Sequence, residues 1–241
     1  MKQIFTLLIS AMLLFSCAQT DQFEIDEDTK RSGFLGNYDE LSPGDEDKDE
    51  VNMRSIAKDV DWKKYKKIKL LPVEVWAGKE SELKEMDKEE LKNLLSYIHA
   101  EMRKELVNSF QLTEQAGPDV LEIRMAMTDG ESSNVALDTV STVLPIGLAI
   151  SFVKKFATGT HMQVGQAHME FEIIDSFSRE RIVAGIDARA GTKALEGKFD
   201  EWNDVKEAFE FWTQKMRYEL VERGAGTPTD EDKEKMEEDK E

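Results

Sequence analysis

The side chains of this 241-residue sequence that could do chemistry are few and scattered. Glu170 and Glu172 stand two apart in the alternating set Gln166, His168, Glu170 and Glu172, which puts both carboxylates on one face of a strand. A carboxylate pair is the minimum for general acid and base work, but the same alternation is how a solvent-facing strand surface reads, so no catalysis is assigned to it. His99 lies beside Ile98 in a helical stretch, and His161 and His168 are seven apart, so the three His show no metal-ligand spacing. Asp45-Glu46-Asp47-Lys48-Asp49-Glu50 has Asp at alternate positions, as a calcium loop does. Such a loop needs Gly where Glu50 stands and a bidentate Glu where Ile56 stands, so the segment reads as a solvated charge run. The chain also lacks a Gly-x-Ser-x-Gly elbow, a phosphate loop and a Gly-rich dinucleotide turn. The expectation is a protein that is not an enzyme, with no catalytic, cofactor-binding or metal-binding residue.

Cys17 is the one remaining reactive group and the only thiol, so no intramolecular disulfide can form. It follows Met1-Lys2, the apolar run Ile4 to Phe15, and Ser16. A run of this length has the layout of a cleavable secretory signal, because a membrane-spanning helix needs roughly 20 apolar residues. Leu14-Phe15-Ser16-Cys17 resembles the lipobox of bacterial lipoproteins. That resemblance implies cleavage after residue 16, a diacylglyceryl group on the Cys17 sulfur and a fatty acyl group such as palmitate on the freed amine. Two or three buried chains, at about 0.8 kcal/mol per CH₂, would anchor the protein to a membrane nearly permanently. Ala18 after the Cys resembles the outer-membrane-sorted class, which points to the periplasmic space and the outer membrane.

Charge divides the mature chain further. The formal net charge is −18 with 50 Asp and Glu against 32 Lys and Arg. Residues 18–50 carry −9 and residues 224–241 carry −5, so the stretch between them is only mildly acidic. Like charges repel and hold such ends extended, and a chain this acidic is repelled by nucleic acid. The organisation expected is a signal peptide at 1–16, an acidic tether at 17–50, a single domain at 51–223 and an acidic disordered tail at 224–241. Within the tether, Ser32-Gly33-Phe34-Leu35-Gly36-Asn37-Tyr38 is too apolar to stay in water, and residues 32–38 are expected to dock on the domain through Phe34, Leu35 and Tyr38.

The elements that must position these groups follow from periodicity. Ile68 to Trp76 reads as a strand with Pro72 marking an edge or a bulge. Asp87-Lys88-Glu89-Glu90 is a capping box opening an amphipathic helix through Leu91, Leu94, Leu95, Ile98, Met102 and Leu106. Val120 to Met127 alternates with Glu122 and Arg124 outward. Val164 to Asp175 alternates with Ala167, Met169, Phe171 and Ile173 inward. Arg181 to Ala190 alternates with Ile182, Ala184, Ile186 and Ala188 inward and Arg181, Asp187 and Arg189 outward. The Trp202 to Leu220 stretch is a second long helix, capped by Asp200 and stopped by Gly224, Gly226 and Pro228. One-sided alternation favours an antiparallel sheet with a wet face. The fold class expected is α+β, a two-layer sandwich of a mostly antiparallel four-stranded sheet packed by two long amphipathic helices plus one apolar central helix.

That last helix is Thr139 to Val153, fifteen residues without a charge and apolar all round, with Pro145 in its first turn and Gly159 beyond its end. Three readings of it stay open: a covered central helix, an exposed surface for a protein partner, and a shallow membrane-dipping helix.

Taken in order, Ser32-Gly33-Phe34-Leu35 with Tyr38, Pro72-Val73-Glu74-Val75-Trp76, Gly117-Pro118-Asp119 leading to Met127-Thr128-Asp129, Val140 to Ala149, and Trp202 with Asp204-Val205-Lys206 and Trp212 resemble a family of bacterial lipoproteins known as domain of unknown function 3313. The resemblance implies a cell-envelope lipoprotein of a Gram-negative bacterium and carries no activity. The function expected is a lipid-anchored, non-enzymatic binding or scaffolding module, its partners being the membrane through acylated Cys17 and an envelope protein. An envelope hydrolase and a lipid-handling module are the alternatives.

Overall fold

In the computed structural model, residues 20–22, 31–77, 87–128, 140–142, 166–191 and 201–238 are described. Residues 1–16, Cys17, most of the apolar segment 139–153, His161, Asp200 and the side chain of Trp202 lie outside the described residues. The strands are β1 (Thr20–Gln22), β2 (Ser42–Pro43), β3 (Met53–Ile56), β4 (Lys67–Leu70), β5 (Glu74–Ala77), β6 (Gln111–Leu112), β7 (Val120–Thr128), β8 (Val140–Thr142), β9 (Gln166–Asp175) and β10 (Arg181–Gly191). The helices are α1 (Lys88–Leu106), α2 (Glu201–Glu222) and α3 (Asp230–Glu238).

Three long strands form the middle of the sheet in the order β7-β9-β10, paired antiparallel. Each outer edge of this trio is lined by short strands. On β10 these are β3, opposite Val183 to Ile186, and β1, opposite Arg189 to Gly191, both antiparallel. On β7 they are β4 and β5, both parallel to it, with Lys67 opposite Val120 and Glu74 opposite Ala126. Outside these lie β2, β6 and β8.

Among the described residues the sheet is therefore ten-stranded and mixed and three helices are present, which corrects the expected two-layer sandwich of a mostly antiparallel four-stranded sheet packed by two long helices; the expected apolar central helix falls outside the described residues. Seven of the strands have only two to four residues, too few for a period of two to show. The stretch expected as one strand from Ile68 to Trp76 is two, separated by Leu71-Pro72-Val73, because Pro cannot donate to the ladder. The parallel pairing of β4 and β5 with β7 needs a crossover, and α1 supplies it.

Both long helices carry recognisable end signals. The Asp87 carboxylate accepts from the Glu89 and Glu90 amides at 2.9 and 3.1 Å at the start of α1. After α2, Gly224 has φ +102°, the Gly224 amide donates to the Val221 carbonyl and the Ala225 amide to the Leu220 carbonyl. This pair of bonds closes the helix end on a residue free of a Cβ.

One face of the sheet packs under α1 and α2, where Ile68, Leu94, Leu95, Ile98, Met102, Leu121, Ile123, Met125 and Phe209 form the main core. The second face is not wet. Phe34, Leu35 and Tyr38 lie buried on it with Ala126, Ala184 and Ile186, and Phe34 meets Trp76 edge to face at 5.7 Å. β7 is consequently buried along both faces, Arg124 being its one half-exposed residue. Close approach is also built into β10, where a Cβ on Gly185 would fall against the ring of Phe171 on the neighbouring strand.

Two acidic stretches hold more structure than their charge alone suggests. Thr20–Gln22, in the stretch after Cys17, pairs with β10, and Asp230–Glu238, in the C-terminal stretch, is a helix in which Asp232 is buried. In both places specific pairing outweighs the like-charge repulsion that composition measures.

Candidate functional site

Glu170 and Glu172, expected on a wet face, are both buried. Segment 32–38 covers Glu170, whose carboxylate accepts from the Ser32 amide at 2.7 Å and the Tyr38 hydroxyl at 2.6 Å. Tyr38 in turn accepts from the Gly33 amide at 2.8 Å. Burial pushes the Glu170 carboxyl above its usual range against the pull of these donors, and burial with the neighbouring Glu170 pushes the Tyr38 hydroxyl up as well. Glu172 is held by Arg124, which also reaches Glu74 at 3.4 Å and lies over the Phe34 ring at 4.7 Å. Glu74 takes the Trp76 indole N–H at 2.8 Å. The carboxylates thus spend their lone pairs inside the fold, fastening the docked segment to the sheet.

Glu170 makes stability depend on pH with a definite sign. Its folded pKa is raised, so the stabilisation is fully present below about pH 4.5, its unfolded value, and is lost as pH rises through the folded value. Glu170→Gln should remove that slope, gaining on the wild type by about 1.4 kcal/mol for each pH unit by which the carboxyl is raised. Urea unfolding from pH 4.5 to 8 measures it, and parallel profiles for the two proteins would refute it. Asp175 works below this window. Burial would raise its pKa, but Lys64, the amides of Ser178 and Phe177 and the Tyr65 hydroxyl hold it well below the usual range.

The remaining candidates are likewise engaged. Asp45 pairs with Lys48 at 2.9 Å, Glu50 with Arg54 at 2.6 Å and Asp49 with Arg189 at 2.7 Å, so the charge run is a short turn of ion pairs. Among the described residues no group of three or more His, Cys, Asp or Glu is placed to hold a metal ion. His99 has a buried Nδ1 without a partner, and burial, then Arg103, lowers its pKa. Burial lowers that of His168 too. Between α2 and the sheet there is an apolar cavity of about 50 Å³ lined by Met125, Met169, Phe171, Trp212 and Met216 among others, far below the roughly 300 Å³ that a small-molecule site needs. A larger, open cleft of about 1310 Å³ runs between α2, α3 and the 48–54 region, with Lys, Arg and Glu mixed along its walls.

The most concentrated polar cluster centres on Asp187 and Arg189, which the alternation of β10 places outward. Asp187 is fully buried beneath α2 and accepts from Trp212 Nε1 at 2.7 Å, Arg189 Nε at 2.8 Å, Gln22 Nε2 at 2.6 Å and the Asn52 amide at 3.1 Å. Arg189, 1% exposed, stacks on Phe211 at 3.8 Å and also donates to Thr20 Oγ1 at 3.3 Å. Gln22 donates further to the Glu50 carbonyl at 2.8 Å. These bonds gather β1, the 49–52 turn, β10 and α2 at one end of the sheet, close in sequence to Cys17. No periodicity could reveal them, because the partners come from four distant segments. A second missed group was legible: Thr229-Asp230-Glu231-Asp232 is a capping box, with Thr229 Oγ1 accepting from the Asp232 amide at 3.1 Å and Asp232 from the Thr229 amide at 2.8 Å.

Most of the buried polar groups are thus bonded within the fold, and the first strand starts three residues after Cys17. The "Uncharacterized lipoprotein YdcL" of Escherichia coli (strain K12) is 25% identical over 176 residues, covering 73% of this chain and 76% of the relative, and that of Escherichia coli O157:H7 matches equally. The class is that of lipoproteins of unknown function, located at the cell envelope. More particularly, the chain belongs to the family described as "Protein of unknown function (DUF3313)", whose model matches residues 30–216. Among solved structures, a dodecamer of a PelC variant from Paraburkholderia phytofirmans is similar over 68% of this chain and 93% of that chain at 9% identity, with a TM-score of 0.35, too low to speak to architecture.

Proposed function

We propose that this chain is a non-enzymatic lipoprotein held at the outer membrane by acylated Cys17, whose domain binds or scaffolds another component of the envelope. The observation that carries the reading is the position of Cys17, the sole thiol, at the close of a signal-like run and immediately before the first strand of the domain. The engagement of Glu170, Glu172, Asp175 and Asp187 in bonds within the fold supports a binding role over a hydrolytic one. Strand β8, which residues 143–153 follow in sequence, lies at the same end of the sheet as β1, and this favours lipid handling as the second reading.

Intact mass and radiolabelled palmitate test the anchor. The wild type should carry two or three acyl chains and pellet with membranes, and Cys17→Ala should lose both label and pelleting. A Cys17→Ala protein that still pelleted, from an unlabelled parent, would end the reading. Crosslinking in intact cells followed by mass spectrometry tests the binding role, which fails if the domain crosslinks to no envelope component.

A further inference from the structure

The register of β1 fixes how far the domain can stand from its anchor. Thr20 is opposite Gly191, Asp21 opposite Ala190 and Gln22 opposite Arg189, and Gln22 and Thr20 are tied by side-chain bonds to Asp187, the Glu50 carbonyl and Arg189. Only Ala18 and Gln19 separate Thr20 from Cys17. Three steps of fully extended chain span at most about 11 Å between the Cys17 and Thr20 Cα atoms. The stretch between Cys17 and the sheet is thus two residues and not a tether of dozens.

The end of the sheet where β1 begins is defined by several registers. Gly191 ends β10, Gln166 is opposite Ala190, His168 is opposite both Ala188 and Thr128, and β5 and β8 meet through Ala77 and Val140. The opposite end holds Asp175, Arg181 and the hairpin tip with Phe177, 73% exposed. Along β9 the two ends lie about 30 Å apart, at roughly 3.3 Å per residue.

We propose that the domain is seated directly on the bilayer by the end of the sheet containing Thr20, Gly191, Gln166 and Thr128, with the β9-β10 hairpin tip pointing away from the membrane. The proposal rests on the Cys17 anchor. Its occupant is a lipid surface because the acyl chains are two residues from the seat, and the long axis of the sheet then stands the Phe177 tip farthest from the headgroups, where a partner would meet it.

The experiment uses the full-length lipidated protein in liposomes of phosphatidylethanolamine and phosphatidylglycerol. Thioether formation consumes the only native Cys, so an added Cys is a unique labelling site. Ser141→Cys marks the seated end and Phe177→Cys the tip, each carrying a fluorescent donor, with an energy acceptor on the lipid headgroups. Transfer should be several-fold greater from position 141 than from position 177. Twelve Gly and Ser residues inserted between Gln19 and Thr20, with a mean span of about 20 Å, should bring the two values together. Equal transfer from both positions in the native-length chain overturns the seating, as does a difference that the insertion leaves unchanged. A protein whose mass shows no acyl group on Cys17 and which stays off liposomes overturns the anchor and the seating with it.

Discussion

Asp187→Ala should lower the unfolding free energy by about 3–5 kcal/mol, because it strands a buried cation. Arg189 is 1% exposed, so its guanidinium has no water to turn to when the carboxylate goes, and its remaining ionic partner is Asp49 at 2.7 Å. Two other donors, the Trp212 indole and the Asn52 backbone N–H, lose this acceptor in the same step, and the Gln22 amide keeps the Glu50 carbonyl alone. A single-domain protein of this size typically has about 5–15 kcal/mol of stability, so the melting temperature should fall by on the order of 10 °C. β1 should come off β10 before the rest unfolds, because two of the three β1 residues are held through this cluster. Thermal unfolding measures the first effect and amide exchange along 20–22 and 189–191 the second. Asp187→Leu combined with Arg189→Met removes both charges and should recover much of the loss. A double variant no better than Asp187→Ala would show that the carboxylate matters for something other than its buried charge.

The second large effect is expected at Arg217, which joins three helices. Its guanidinium meets both Asp232 oxygens at 2.7 and 2.9 Å, Glu105 at 2.5 Å and Ser109 Oγ at 2.8 Å. Burial disfavours the charge, but Asp232 and Glu105 more than restore it and hold the Arg217 pKa above its ordinary value. Asp232 is 2% exposed and also closes the Thr229 cap, so one carboxylate starts α3 and fastens it to α2. Arg217→Met should cost about 3–5 kcal/mol and release α3, seen as faster proteolytic cleavage within 227–238. Asp232→Ala should give the same cleavage, and the double variant should cost clearly less than the two single losses added together. Additive losses, or cleavage no faster than in the wild type, would refute the clamp.

How much of this was legible depended on range along the chain. Helix α1 was readable because its signals are local: Asp87 supplies the cap and Leu91, Leu94, Leu95 and Ile98 repeat at helical spacing. β7, β9 and β10 were readable as alternating stretches. Their outward faces were misread, because alternation shows that two faces differ and not what covers the second. Glu170 looks wet until Ser32 and Tyr38 are laid over it, and Asp187 and Arg189 look wet until Trp212 and Phe211 descend from α2. A buried ion pair and an exposed one have the same spelling.

What residues 1–241 determined alone is the local part: a lone Cys after an apolar run, the two long helices with their stops, the alternation of the three central strands and the apolar identity of Phe34, Leu35 and Tyr38. Tertiary structure decided the rest, namely the parallel pairing of β4 and β5 with β7, the covering of the second sheet face, the pairing of β1 with β10 and the docking of α3 on Arg217. The physical reason is the distance over which each interaction acts. Propensity, capping and amphipathic period are properties of neighbouring residues, whereas the energy of a charge depends on the dielectric around it, which is set by segments far away along the chain.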